Sequence, residues 1–252
     1  MRAVITTILI LIAESAFSQG IVTRNSRGYF SLSATGLIRT TTKISNFSDQ
    51  DLLKETFMPG AGLTFNYTRI RRNGLTLSSG LGFQIVPISY KFTVSPENYN
   101  LSAEFDQPFV QRNSEFGVGF FHIPVNVGYT FKKRRAIEPS LLVGIDVFNL
   151  NSFSISNGFN AGDEDDNLTP IFRMVVRSPH SGAPKAWITY NFVGKVTRSV
   201  GTKNQLSAGI IAKISSKTIY EGLYEFYFEN GTQSGSYTDK GSVVGMQIGY
   251  AF

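Results

Sequence analysis

Residues 242–252 read SVVGMQIGYAF, and the large apolar residues in this stretch recur at every second position. One alternate set is Phe252, Tyr250, Ile248, Met246 and Val244, and the other is Ala251, Gly249, Gln247, Gly245 and Val243. A period of two is typical of a β-strand whose two faces have different surroundings. A tilted strand of about 9–11 residues is long enough to cross a bilayer. The stretch therefore predicts a membrane-spanning strand whose last residue, Phe252, belongs to the apolar face.

The N-terminus has the three parts of a secretory signal peptide. A positive residue, Arg2, precedes an apolar run over residues 4–13, and Ala16-Phe17-Ser18 offers small residues for cleavage. We expect cleavage after Ser18, which divides the chain into a signal peptide (1–18) and one domain (19–252). The alternative is a membrane helix, but the run is shorter than the roughly 20 residues that such a helix needs.

The composition also favours a membrane barrel. Charged residues make up 17% of the chain, whereas soluble domains carry about 25%. The chain has no cysteine, which excludes disulfides, thiolate metal ligands and a thiol nucleophile. The net charge of +6 could suggest nucleic acid, but the basic residues concentrate in short turns. We therefore predict no nucleic-acid partner and no cofactor.

Alternating segments recur along the chain, separated in turn by long polar loops and short basic turns. The predicted strands cover residues 29–40, 57–69, 75–94, 116–131, 137–153, 185–196, 206–214 and 242–252, the seventh with a further extension towards Tyr227. This pattern predicts an all-β, eight-stranded antiparallel up-and-down transmembrane β-barrel. Ten strands are the alternative, if part of a long loop crosses the membrane as another hairpin. A phase change after Pro87 predicts a bulge that leaves Ile88, Tyr90 and Phe92 on the apolar face.

Aromatic residues mark one end of the predicted barrel. The four even strands carry them beside the short turns: Tyr67, Tyr129, Phe131, Tyr190, Phe192, Tyr250 and Phe252. Such residues form the girdle at a membrane interface. We therefore expect a bacterial outer-membrane protein with both termini and the short turns in the periplasm and four long loops outside the cell.

With the signal peptide, the eight strands and the motif Gly249-Tyr250-Ala251-Phe252, the chain resembles the small OmpA/OmpX-type outer-membrane barrels and, more loosely, PorT-like barrels. The resemblance implies that the assembly machinery recognises Tyr250 and Phe252 as an assembly signal. Proteins of these groups include membrane anchors, adhesins and secretion-system components, so the resemblance implies no single role.

Four charged residues are predicted to point into the lumen: Glu138, Asp146, Lys195 and Lys213. They could line a conducting path. Because eight strands leave an interior that side chains fill, and because an unpaired buried charge is costly, we expect instead that they pair and plug the lumen. Similar heights along the strands favour the pairs Glu138–Lys195 and Asp146–Lys213.

Other candidates are weaker. The acidic run Asp163-Glu164-Asp165-Asp166 could bind a divalent cation, but it lacks the spacing of an EF-hand loop, so no metal site is predicted. The two histidines, His122 and His180, have no recognisable catalytic partners. The basic turns at residues 69–72 and 132–135 could contact anionic lipid or a periplasmic protein, or they could simply be solvated.

The sequence thus predicts a structural or binding platform with four extracellular loops, either on its own or as a subunit of an envelope or secretion complex. A narrow pore is the alternative, and a lipid-modifying enzyme is a further one; we expect no catalytic residues. The expected partners are outer-membrane lipid and lipopolysaccharide, the barrel-assembly machinery and other envelope proteins.

Overall fold

The structure is a computed structural model. It describes residues 26–47, 52–94, 109–131, 137–150, 154–162, 168–177, 185–200, 204–215, 217–228 and 231–252, with the backbone alone at some of these positions, such as 109–117. The predicted signal peptide, the acidic run 163–166 and His180 lie outside these ranges. None of the described residues forms a helix that is long and apolar enough to span a membrane.

Fourteen strands form within the described ranges. They are β1 (Ser26–Arg39), β2 (Thr42–Asn46), β3 (Leu53–Glu55), β4 (Gly60–Arg71), β5 (Leu75–Val94), β6 (Phe109–Thr130), β7 (Ile137–Leu150), β8 (Ser154–Gly162), β9 (Leu168–Arg177), β10 (Lys185–Val200), β11 (Asn204–Ile214), β12 (Tyr220–Phe228), β13 (Gly231–Asp239) and β14 (Val243–Ala251).

Eight of these strands close into an antiparallel barrel in the order β1-β4-β5-β6-β7-β10-β11-β14. The last strand completes the ring, because Ala251 pairs with Ser31 of β1 on one side and with Gln205 of β11 on the other. The predicted all-β, eight-stranded barrel is confirmed, and the ten-stranded alternative is wrong. We call the end with the hairpin turns after β4, β6 and β10 the turn end.

The barrel wall has an apolar outside and a polar inside. On β14, Met246 and Ile248 are 76% and 66% exposed on the outer surface, while Ala251 is buried. On β10 the exposed residues Ile188 and Phe192 alternate with Thr189 and Asn191, which are buried in the lumen. This alternation continues around the ring. An outward face so uniformly apolar is suited to lipid and not to water.

The long loops do not form the simple polar loops that the sequence predicts. Parts of three of them pair into a five-stranded antiparallel sheet in the order β2-β13-β12-β9-β8, which we call the cap sheet. Strand β12 shows why: Tyr220, Tyr224 and Phe226 are buried on one face and alternate with more polar residues on the other. The predicted extension of the seventh strand towards Tyr227 is therefore wrong, since this segment forms a separate strand of the cap sheet.

An aromatic cluster fills the space between the cap sheet and the barrel. Phe92 of β5 packs against Phe172 of β9, with ring centroids 4.6 Å apart, and against Phe226 of β12 at 5.3 Å. Complete burial of such side chains contributes about 1.5–3 kcal/mol each. The cluster therefore holds the cap sheet over this end of the barrel, which we call the cap end.

The predicted bulge at Pro87 is present as a register shift between β5 and β6 at Val86/Ile88. The predicted position of the residues after Pro87 on the outer apolar face is wrong. Ile88, Tyr90 and Phe92 are 1–2% exposed and belong to the buried aromatic cluster instead of the lipid-facing surface. The even-numbered residues of β5 point inwards along its length; what changes above Pro87 is the interior, which becomes apolar beneath the cap sheet.

Candidate functional site: the lumen and its cap

A polar layer crosses the middle of the lumen around Asp146 of β7, which is 1% exposed. Lys213 Nζ of β11 lies 2.7 Å from Asp146 Oδ2 and donates a hydrogen bond to Gln84 Oε1 of β5 at 2.8 Å. Asn191 donates its amide hydrogen to Asp146 Oδ1, and His122 Nε2 lies 3.8 Å from Asp146 Oδ2. Five strands thus contribute to one layer, which brings together the predicted partners Asp146 and Lys213.

A second ion pair closes the turn end. Arg27 of β1 donates two hydrogen bonds to the carboxylate of Glu138 on β7, one of them at 3.0 Å. These two strands lie four positions apart in either direction around the ring. The pair therefore spans the full width of the barrel. Long side chains from opposite walls can do this because the interior of an eight-stranded barrel is about as wide as its side chains.

The predicted pair Glu138–Lys195 is wrong, because Glu138 is occupied by Arg27. Lys195 is cross-strand to Ser140, whereas Glu138 is cross-strand to Thr197, so the two charges are offset along the wall. Within the described part of the chain, Lys195 makes no ion pair. It lines a polar cavity of about 50 Å³ below the Asp146 layer, a space that has room for a few water molecules.

A third charged layer joins the barrel to the cap sheet, and nothing in the sequence pattern pointed to it. Arg39, at the end of β1, pairs with Asp239 of β13 and donates to the hydroxyl of Tyr237 at 2.9 Å and to the carbonyl of Val86 at 2.5 Å. Its guanidinium also lies 4.9 Å from the centroid of the Tyr220 ring. Burial raises the pKa of Tyr237 to about 12, so this phenol stays protonated at neutral pH.

Asp239 is completely buried. It also accepts hydrogen bonds from Thr41 Oγ1 at 2.9 Å and from the backbone nitrogen of Gly241 at 2.7 Å. Gly241 has a φ of +72°, a left-handed conformation that favours glycine. The turn at 239–241 and the turn after β1 are thereby fixed to each other where the chain passes between barrel and cap sheet.

Aromatic side chains fill the lumen between the first and third charged layers. Phe148 and Trp187 stack with ring centroids 4.3 Å apart. The imidazole of His122 also stacks on Phe148, with centroids 5.0 Å apart. The indole nitrogen of Trp187 donates to Ser215 Oγ at 2.7 Å. His122 is therefore stacked on a ring and only 4% exposed, which is an environment typical of a structural residue.

The predicted assembly signal lies at the turn end. Tyr250 and Phe252 are exposed on the outer face, with ring centroids 6.3 Å apart. The backbone nitrogen of Phe252 donates to the carbonyl of Phe30 on β1 at 3.0 Å, which is the last hydrogen bond of the β14–β1 seam. No group of three or more His, Cys, Asp or Glu side chains that could hold a metal occurs among the described residues.

A closed eight-stranded ring with a lipid-facing outer surface and a charged, side-chain-filled interior is the architecture of bacterial outer-membrane proteins. This chain is an outer-membrane β-barrel protein. No protein-family model matches it, and no curated protein matches it.

Solved structures similar to this outer-membrane barrel are themselves outer-membrane proteins. The outer membrane protein OprG from Pseudomonas aeruginosa has a TM-score of 0.48 and 10% identity over 90% of this chain and 97% of that chain. A major outer membrane protein from Thermus thermophilus has a TM-score of 0.38 and 13% identity over 89% and 98%. Neisserial surface protein A has a TM-score of 0.35 and 9% identity over 88% and 97%.

Proposed function

We propose that the protein is a non-conducting platform that holds the cap sheet at the cell surface as a binding surface. We propose an orientation in which the turn end and both termini face the periplasm and the cap end faces the exterior of the cell. The observation that carries the proposal is the closure of the lumen at successive levels, by Arg27–Glu138, by the Asp146 layer and by the aromatic cluster beneath the cap sheet.

The design of the cap sheet supports a binding role. A pore needs its loops only to leave the mouth open, whereas here the loops form a sheet that shares one buried aromatic core with the barrel. On the sheet's outward face, the large apolar side chain of Leu223 on β12 is 59% exposed. Leu223 is cross-strand to the half-buried Val175 of β9 and to Ser236 of β13. A small apolar centre with polar residues around it is an arrangement found at recognition surfaces.

Conductance measurements test the closure. The purified mature chain, inserted into planar bilayers, should give little or no steady current. If the wild type instead forms stable open channels, and if Asp146→Asn changes their ion selectivity, the lumen is a pore and the platform proposal fails.

The binding role has a separate test. Membrane partners are cross-linked in native membranes and isolated in mild detergent from cells that carry the wild type or Leu223→Lys. A partner that is captured by the wild type and lost in the variant supports recognition through the outward face of the cap sheet. Thr232→Lys, at an exposed polar position near the end of β13, is the control and should retain the partner. Equal capture by Leu223→Lys would contradict this role for the face.

Within this proposal the protein has no catalytic activity. The stacking of His122 on Phe148 and its 4% exposure support a structural role for this residue. Lipid turnover by the purified protein would contradict that part of the proposal.

A further inference from the structure

Two arginines lie on the lipid-facing side of β4 at the turn end. Along this strand the exposed apolar residues Leu63 and Phe65 alternate with residues that face the lumen, such as Thr68, which is buried. Arg69 and Arg71 have the same parity as Leu63 and Phe65, so they continue the outer face downwards. Tyr67 precedes them, and its ring contacts Phe30 with centroids 5.1 Å apart.

This position corresponds to the headgroup region of the bilayer. The aromatic girdle marks the boundary of the hydrocarbon, and a strand advances about 3.3 Å per residue. Arg69 and Arg71 lie two and four residues beyond the girdle residue Tyr67, about 7 and 13 Å further along the tilted strand, at the level of lipid phosphates. They are also about 7 Å apart along the strand, close enough for both to reach one headgroup.

The described part of the chain supplies no anion for these two guanidinium groups. Neither forms an ion pair in the described part of the chain, and the one side-chain hydrogen bond of Arg69 goes to Ser26 Oγ, at 3.4 Å. The cross-strand partner of Arg69 is Gly28, which has no side chain, and the ring of Tyr67 occupies the space above it. The result is a shallow polar surface formed by two arginines and two hydroxyl groups.

We propose that Ser26, Tyr67, Arg69 and Arg71 bind the phosphate of an anionic phospholipid. The surface is continuous with the lipid-facing wall, so a lipid is the occupant that is already next to it. Guanidinium groups bind phosphate through paired hydrogen bonds, and the two hydroxyls can donate to the remaining oxygens. Only the choice of leaflet, the periplasmic one, depends on the orientation in the proposed function.

Native mass spectrometry of the purified mature chain tests this site. The protein is mixed with equal amounts of phosphatidylglycerol and phosphatidylethanolamine in detergent, and bound lipids are counted. The wild type should retain phosphatidylglycerol preferentially. Arg69→Gln/Arg71→Gln should weaken that binding about 25-fold, because each cationic side chain near a membrane surface contributes about fivefold. Arg69→Lys/Arg71→Lys, which keeps the charge without the paired geometry, should give an intermediate loss.

Arg198→Gln is the matched control. Arg198 is also exposed on the outer wall at the turn end, but its cross-strand neighbours are the apolar residues Ile137 and Leu206. Its replacement should change binding by less than about fivefold, the contribution of one cationic side chain. Heat-modifiable mobility on gels confirms that each variant remains folded.

Equal retention of the two lipids, unchanged binding by the double Gln variant, or an equal loss in Arg198→Gln would each overturn the proposal. Recovery of an acidic periplasmic protein by the wild type and not by the double Gln variant, without a lipid preference, would assign the surface to a protein and also overturn it. Bilayer conductance does not depend on this lipid site. Failure of the lipid-binding proposal would therefore leave the closed-platform proposal intact.

Discussion

At the scale of single residues, two lysines of the lumen differ: Lys213 is paired with Asp146, whereas Lys195 forms no ion pair among the described residues. Asp146→Asn or Lys213→Met leaves a partner buried without its opposite charge and should destabilise the barrel by about 3–5 kcal/mol. The double variant should cost much less than the sum of the two single variants, because the interaction is counted once. Urea unfolding in lipid vesicles measures each free energy of unfolding.

Lys195→Met is the control for this prediction. Since Lys195 has no acidic partner among the described residues, its replacement should leave stability unchanged or raise it. Additive single-variant effects, or a loss for Lys195→Met as large as that for Lys213→Met, would contradict the role given to the Asp146–Lys213 pair.

These residues also show what the sequence could predict. Alternation identifies the side chains that face the lumen, and counting along strands places Asp146 and Lys213 at one height. The partner of Glu138 could not be predicted in this way, because Arg27 comes from the opposite wall, where the strand register and not the sequence separation decides which side chains meet.

At the scale of the elements, the attachment of the cap sheet should be sensitive to alkaline pH. Burial raises the pKa of Tyr237 to about 12 in the folded protein, whereas an unfolded tyrosine has a pKa of about 10. The stability contributed by the protonated phenol is therefore complete below about pH 10 and is lost progressively up to about pH 12, by about 2–3 kcal/mol. Emission of Trp187, the sole tryptophan of the chain, reports on the cluster beneath the cap sheet.

Tyr237→Phe cannot ionise, so it should lose part of this pH dependence although it also loses the hydrogen bond from Arg39. Tyr250→Phe, on the lipid-facing wall, should behave like the wild type. A titration of Trp187 emission that is identical in Tyr237→Phe and the wild type would show that another group controls the attachment.

The cap sheet is the element that the sequence did not predict. Its strands are short and polar on one face, and Gly231–Asp239 reads as a loop because it contains small polar residues. The sheet forms because long-range pairing with β12 and β2 satisfies its backbone, and because the aromatic residues of several loops meet in one core. Neither cause is visible in the periodicity of one segment. The eight barrel strands, in contrast, each carry a strong period of two of their own.

At the scale of the whole molecule, the ring is closed by the pairing of β14 with β1 and β11. Phe252 continues the apolar face of β14 and makes the final backbone hydrogen bond to β1 through Phe30. The eight-stranded ring could be predicted from the chain, whereas recognition of its end by the assembly machinery is an expectation that rests on the resemblance to other barrels. Deletion of Phe252 tests this expectation, and it should sharply reduce insertion and leave degraded chain in the periplasm.

Phe131 provides the control, because it separates recognition from simple loss of an interfacial aromatic residue. It lies just after β6 at the same end of the barrel, is 45% exposed and donates its backbone nitrogen to Pro139. Phe131→Ser removes a girdle ring as Phe252→Ser does, but from an internal position. If the terminal aromatic is a recognised signal, Phe252→Ser should reduce the amount of heat-modifiable protein in the outer membrane and Phe131→Ser should not. Equal losses would mean that both rings act only as membrane anchors, and normal insertion of both would remove the terminal residue from the assembly mechanism.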